Sequence, residues 1–212
     1  MSRNVFVLFS LMLVLNFGCA NPAANKPNAG VTNAAPETNA AKPAGAEMLL
    51  ITPDNSKVEF VAAKVTRSHN GSFKQFNGTI DLINNSPEQS VVTINIDTGS
   101  VTTDEEQLTG HLKTPDFFDV AKYPRATFVS TRIEPNAANG ATHMVTGNFD
   151  LHGVKKAISF PATIQVAADN VSVNSEFAIN RKDFGLNYPG KADDLIRDGV
   201  VIKLALKVPR KR

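Results

Sequence analysis

The sequence predicts an all-β fold, a closed barrel of eight antiparallel strands carrying one short helical insert. Three observations point there. From Met48 onward apolar residues recur at every second position, as in Val92, Ile94 and Ile96 set against Thr93, Asn95 and Asp97, which is the period of a strand with one buried face. One stretch, residues 111–130 (HLKTPDFFDVAKYPRATFVS), breaks that period with two turn prolines and an aromatic pair. The third is a set of large inward candidates, Phe60, Phe73, Phe76, Phe117, Phe118, Phe128, Phe149, Phe160, Phe177 and Phe184. Strands with one apolar face each form a sandwich or a closed barrel, and local pattern alone does not choose. The count of large inward residues, with no signature of a second sheet, favours the barrel. With about eight strands its interior is filled by side chains or holds one small ligand.

Residues 1–19 stand apart from the fold. Arg3 supplies a positive start and residues 5–17 (VFVLFSLMLVLNF) an apolar run shorter than the ~20 residues that cross a bilayer as a helix, the layout of an export signal. The run ends in Leu15-Asn16-Phe17-Gly18-Cys19. This resembles the lipobox of bacterial lipoproteins, with Asn16 where that pattern prefers leucine, and the resemblance implies that Cys19 becomes the acylated first residue of the mature chain. Cys19 is the only cysteine, so in an oxidising compartment it has no intramolecular disulfide partner. Ala20 and Asn21 follow it in place of the aspartate that retains lipoproteins at the inner membrane, which points to the outer one where two membranes exist. Residues 20–47 are mostly Ala, Asn, Pro, Thr and Gly with little to bury, and such composition predicts a disordered tether. Its reach as a flexible coil is on the order of 30 Å.

The domain proper covers residues 48–212. Val58 and Phe60, Ile80 and Leu82, and Val92 through Ile96 mark its first strands. Asn84-Asn85-Ser86-Pro87 reads as a turn between two of them. Thr103, with Glu106 three residues on, has the spacing of a capping box and predicts a helix over residues 104–112 that Pro115 ends. Phe117 and Phe118 follow at once. Each is worth about 1.5–3 kcal/mol when buried, so this turn is expected to plug or lid an apolar interior. Further strands then carry Ala126 and Phe128, Val145 and Phe149, Ile158, Phe160 and Ile164, Val171 and Val173, Phe177 and Ile179, and Ile202, Leu204 and Leu206, with a turn at residues 136–140.

Several function classes find no support. A formal charge of +2 with scattered Lys and Arg gives no nucleic-acid stripe or motif, and the basic end, Lys207, Arg210, Lys211 and Arg212, reads as a solvated terminus. His69, His111, His143 and His152 stand singly, with no second histidine at zinc spacing and no cysteine pair, so no metal site is expected. There is no nucleophile elbow and no phosphate loop, hence no catalytic residues and no cofactor. Asp104-Glu105-Glu106 reads as a helix N-terminus. His111 with Asp116 and Asp119 is a candidate acid and base pair at a pore mouth, set against the expectation that His111 satisfies backbone groups of the helical insert.

From about Leu50 to Val208 the chain resembles the YceI-like polyisoprenoid-binding proteins. The resemblance rests on residues 56–60 (SKVEF), 71–78 (GSFKQFNG), 100–103 (SVTT), 111–120 (HLKTPDFFDV) running into 122–128 (KYPRATF), 147–153 (GNFDLHG) and 181–186 (RKDFGL). It implies a lipocalin-like barrel with a long amphiphilic lipid threaded through its apolar pore, and no cofactor chemistry. The residues expected to line that pore are Phe60, Ile80, Leu82, Ile94, Phe117, Phe118, Phe128, Phe149, Phe160, Phe177 and Phe184. Lys64 stands where many members carry a histidine, and Asp150-Leu151 where they carry a Thr-Ile or Thr-Leu pair. A cation at Lys64 suits an anionic head group. Lys64, Arg181 and Asp183 are therefore the expected head-group contacts, the last two within a polar stretch, residues 180–199, that could fold over one mouth. The function so implied is binding of a polyisoprenoid, isoprenoid quinone or fatty-acid derivative in the cell envelope; the alternative is a ligand-free interaction module with a filled core. The sequence leaves the oligomeric state open.

Overall fold

A computed structural model describes residues 20–36, 45–136 and 140–210. The export signal and Cys19, part of the tether, and the middle of the turn at residues 136–140 lie outside the described residues. In chain order the elements are β1 (Gly30–Asn33), β2 (Glu47–Ile51), β3 (Ser56–Ala63), β4 (Ser68–Phe73), β5 (Phe76–Ile83), β6 (Ser86–Asp97), β7 (Val101–Thr103), α1 (Glu106–Leu112), β8 (Arg125–Pro135), β9 (His143–Leu151), β10 (Val154–Val166), β11 (Asn170–Asn180), β12 (Gly190–Lys191), β13 (Asp194–Leu195) and β14 (Gly199–Pro209).

The hydrogen-bonded order β2-β5-β6-β8-β9-β10-β11-β14-β3-β4-β7 is a ring. β2 with β3, β4 with β5, and β6 with β7 are each one strand kinked in the middle; these three, with β8, β9, β10, β11 and β14, make the eight staves. β14 pairs with β3 and so closes the barrel, and every one of these ladders is antiparallel. The predicted all-β barrel with one short helix is what the chain forms. Two of its hairpins are two-residue loops with left-handed backbone, Asn84-Asn85 (φ 51° and 57°) and His152-Gly153 (φ 55° and 74°), the geometry that matches strand twist. Glycines also seat two interior rings: a Cβ on Gly71 would lie 2.1 Å from Phe60 Cζ, and one on Gly147 2.5 Å from Phe128 Cζ.

The helix begins two residues later than its spacing predicts. Glu105 occupies the N-cap without a side-chain cap bond. The Thr103 hydroxyl is engaged with the Glu105 carbonyl at 2.7 Å and the Thr109 hydroxyl at 2.9 Å, while Asp104 binds His69 and the Asn70 N–H. The capping box therefore does not form.

The tether reading fails for residues 20–36. β1 pairs with β10, Gly30 opposite Ser159 through Asn33 opposite Lys156, and Asn28 bridges to Ala178 in parallel. Ala23 is buried against Val61, Ala178 and Val201 on the outside of the barrel. Composition speaks for side-chain burial, whereas this segment is held mainly through its backbone, which any sequence without interrupting prolines carries.

Candidate functional site

Alternation on eight staves points one set of side chains at the barrel axis, and register brings them together in opposed pairs. Ile94 faces Phe128 and Phe128 faces Phe149; Val145 faces Phe160, and Ile164 faces Val173; Phe177 faces Ile202, and Leu204 faces Val58. Between them lies a cavity of about 100 Å³. Its wall is five phenylalanines (Phe73, Phe128, Phe149, Phe160, Phe177), thirteen aliphatic residues and Glu59. Glu59 sits on the face of β3 opposite to Val58, by alternation. The rings partly fill the interior: Phe160 and Phe177 stack with centroids 4.2 Å apart and planes 9° apart, and Phe128 lies 5.6 Å from Phe160.

Of the expected pore residues, Ile94, Phe128, Phe149, Phe160 and Phe177 border the cavity. The others lie elsewhere, buried except for the half-buried Phe118. Ile80 and Leu82 belong to the packed core towards the other end of the barrel, and Phe184, fully buried, packs on Phe149 at 5.2 Å. Phe60 and Phe117 form a separate cluster with Val101 and Leu112 under α1, and Phe118 packs beside it, 5.7 Å from Phe73. The aromatic pair thus lids the barrel without reaching its cavity. Selecting phenylalanines passed over the aliphatic majority of the wall, Val58, Ile133, Val145, Ile164, Val173 and Leu206 among them. Plain period-two alternation marks these equally well.

The mouth beside α1 is polar, and its charges are already committed. Lys64 Nζ lies 2.8 Å from Asp194 Oδ2, and the Thr66 hydroxyl donates to Asp194 Oδ1 at 2.9 Å; the Lys64 and Thr66 hydrogen bonds hold the Asp194 carboxyl below the usual carboxylate range. Arg181 is 4 % exposed. It donates to the carbonyls of Leu186, Arg197 and Ile196 and meets Asp198 Oδ1 at 3.3 Å. Burial pushes this guanidinium down, and Asp198 pulls it back up. Asp183 is exposed on the outside, beside Val31, Asn33 and Lys156. The three expected head-group residues are therefore not convergent: Arg181 is the internal brace of residues 180–199, whose Ile196 and Tyr188 pack on the α1 cluster.

Three of the four histidines are paired with carboxylates as well. His111 Nε2 lies 2.8 Å from Asp116 Oδ2, with its ring edge on Phe117 and Tyr188, so its imidazole serves Asp116 and not the helix backbone. His69 Nδ1 lies 2.8 Å from Asp104 Oδ1. Burial raises the Asp104 carboxyl, but the bonds from His69 and Asn70 with the nearby Arg67 charge leave it below the ordinary value. His143 approaches Glu88 at 3.3 Å. Among the described residues no cluster of three metal-ligating side chains occurs.

Comparison with known proteins places this architecture. The YceI-like domain matches residues 50–208. A UPF0312 protein of Pseudomonas putida is 33 % identical over 126 residues, covering 57 % of this chain and 65 % of that protein, so the chain spans about 65 % of the length of the curated relatives it matches. Burkholderia cenocepacia BcnA superposes with a TM-score of 0.65 at 25 % identity, over 74 % of this chain and 98 % of that one. A polyisoprenoid binding domain from Saccharophagus degradans, implicated in plant cell wall breakdown, shares the fold with a TM-score of 0.61 at 21 % identity, over 78 % of this chain and 99 % of that one.

Proposed function

This chain belongs to the YceI-like domain family, and from that premise we propose that its barrel binds a long amphiphilic lipid by its hydrocarbon part. A polyisoprenoid, an isoprenoid quinone and a fatty-acid derivative all meet that description. The observation that carries the reading is the cavity, about 100 Å³ and walled by apolar side chains. Protein interiors are close-packed, and a void of this kind is dry and takes apolar guests. One water-sized probe occupies about 10–15 Å³, so the space accepts a run of several methylenes as it stands. Each brings about 0.8 kcal/mol of gross transfer energy, most of it offset by ordering. A longer tail turns the Phe128, Phe160 and Phe177 rings aside. The head group stays at a mouth, where an anion competes with Asp194 for Lys64.

The export signal and an acylated Cys19 complete the reading: a lipid-anchored envelope protein, at the outer membrane where two exist, that carries, stores or sequesters its lipid and performs no chemistry on it. One observation favours the alternative of a filled interaction module, namely the 4.2 Å stack of Phe160 on Phe177 across part of the interior. Organic extraction of natively purified protein followed by mass spectrometry, with uptake of prenyl and fatty-acyl fluorescent probes, separates the two. A bound amphiphile is expected. No extractable lipid together with no probe uptake would leave the filled module.

A further inference from the structure

The barrel wall has a seam, and the chain's own N-terminal segment fills it. β10 and β11 pair from Thr163 opposite Asn174 to Val166 opposite Val171 and no further. The next β10 residue whose backbone faces β11, two positions further towards the α1 end, is Pro161, which has no N–H to give, and its carbonyl is taken by the Ser175 hydroxyl at 2.6 Å. Beyond it the two strands diverge, and residues 27–33 lie between them. The Ala178 N–H donates to the Pro27 carbonyl and the Ala29 N–H to the Ala178 carbonyl, each at 2.8 Å. β1 then pairs with β10, and Ala29 and Val31 pack inward against the core.

The hold on this segment is light. Outside, Ala23 sits over Ala178 and Val201 where Gly199 leaves room, a Cβ on Gly199 falling 2.9 Å from Ala23 Cβ. Lys26 pairs with Glu176 at 2.9 Å, both about one-third exposed, a weak class of ion pair. Asn148 exchanges two hydrogen bonds with the backbone of Ala35. Segments with few buried contacts open at low free energy. The residues 20–36 also lie outside the 50–208 stretch that the family shares.

Both banks of the seam are cavity wall: Ile158 and Phe160 on β10, Phe177 and Ile179 on β11. The ends of the barrel are obstructed, by Phe60, Val101, Leu112 and Phe117 under α1 and by Leu49, Leu82, Val171 and Val208 at the other end. We propose that residues 21–33 are a removable stave, whose withdrawal opens a lateral slot through which a hydrocarbon chain passes sideways into the cavity. This rests on the lipid-binding reading above, and it adds the route of loading and the segment that controls it.

A reversible lock tests it. A Cβ at position 30 lies 3.8 Å from Ser159 Cβ, the spacing of a disulfide, so Gly30→Cys with Ser159→Cys, in a Cys19→Ser background that removes the one native thiol, ties the stave to β10. Uptake of a fluorescent prenyl probe is followed with the lock oxidised and reduced. The oxidised form is expected to load more slowly by about tenfold or more, as for a closed lid, reduction to restore the rate, and probe loaded before oxidation to be retained. Equal rates in both forms overturn the stave and leave the binding reading standing. No uptake in the reduced form or in the native chain overturns the binding reading, and the stave with it. A second variant, Lys26→Ala with Asn148→Ala, loosens the segment without touching the cavity wall; it is expected to load severalfold faster, and an unchanged rate counts against the stave.

Discussion

Val145→Phe puts the cavity to a quantitative test. Val145 is 5 % exposed on β9 between Ile133 and Phe160, and its side chain borders the void. A cavity weakens a fold by about 24 cal/mol per Å³, so the ~100 Å³ present here stands for about 2.4 kcal/mol. A ring that fills it recovers up to that amount. For a chain of this size each kcal/mol moves Tm by about 2–4 °C, so full recovery is a rise of about 5–10 °C. The same ring occupies the space assigned to the lipid. Thermal unfolding with and without a long prenyl alcohol reads both effects: the native chain is expected to gain about 2.7 kcal/mol at a hundredfold excess over Kd, and the variant, more stable when free, to gain nothing. A variant destabilised by the ~1–3 kcal/mol typical of overpacking would refute the void. A folded variant with an undiminished ligand-induced rise would refute the site.

Three further outcomes follow from the same structure. Arg181→Met removes the donors to the Leu186, Arg197 and Ile196 carbonyls; at about 1 kcal/mol per lost bond the urea midpoint is expected to fall by the equivalent of about 3 kcal/mol. The Asp194 carboxyl is held below its ordinary value by Lys64 and Thr66, so its stabilising contribution is complete above pH ~4 and is lost as pH falls through the lower folded value. Asp194→Asn is therefore expected to be less stable at neutral pH and to lose stability less steeply in acid, read as Tm across a pH series. Gly71→Ala drives a methyl to within 2.1 Å of Phe60 Cζ; the ring must swing, at about 1–3 kcal/mol, seen in the same urea titration.

The staves were legible because their information is local. Val92, Ile94 and Ile96 alternate with polar neighbours, and alternation needs no partner to be read; Asn84-Asn85 announces its hairpin by the same kind of short-range chemistry. What escaped depends on distance. Lys64 finds Asp194 130 residues away, and Arg181 finds carbonyls in its own loop only once that loop has folded over the mouth. Residues 20–36 depart from the tether expectation for a related reason. Alanine, asparagine and proline supply no burial of their own, and the segment is ordered by an unpaired stretch of wall that Pro161 creates more than a hundred residues later, with Ala35 tied to Asn148 at a separation of 113.

The seam and the small cavity have a common physical origin. Where Pro161 ends the β10–β11 ladder, backbone bonds no longer tie those strands directly, and the ring of Phe160 stacks on that of Phe177 across the divide. Such a stack is worth about 0.5–1.5 kcal/mol beyond its burial. Displacing it is therefore offset by roughly one or two methylenes at ~0.8 kcal/mol each. Short chains gain little over that cost, whereas a tail of many carbons exceeds it even after most of its gross energy goes to ordering. The same comparison bears on the filled-core alternative. A core meant to stay filled gains by interlocking its large side chains, yet here the stack leaves a void of about 100 Å³ beside it, in an interior type where voids larger than a water are few. A closed ring pair next to standing apolar space fits the proposed site, one that shuts when empty and is opened by a long guest.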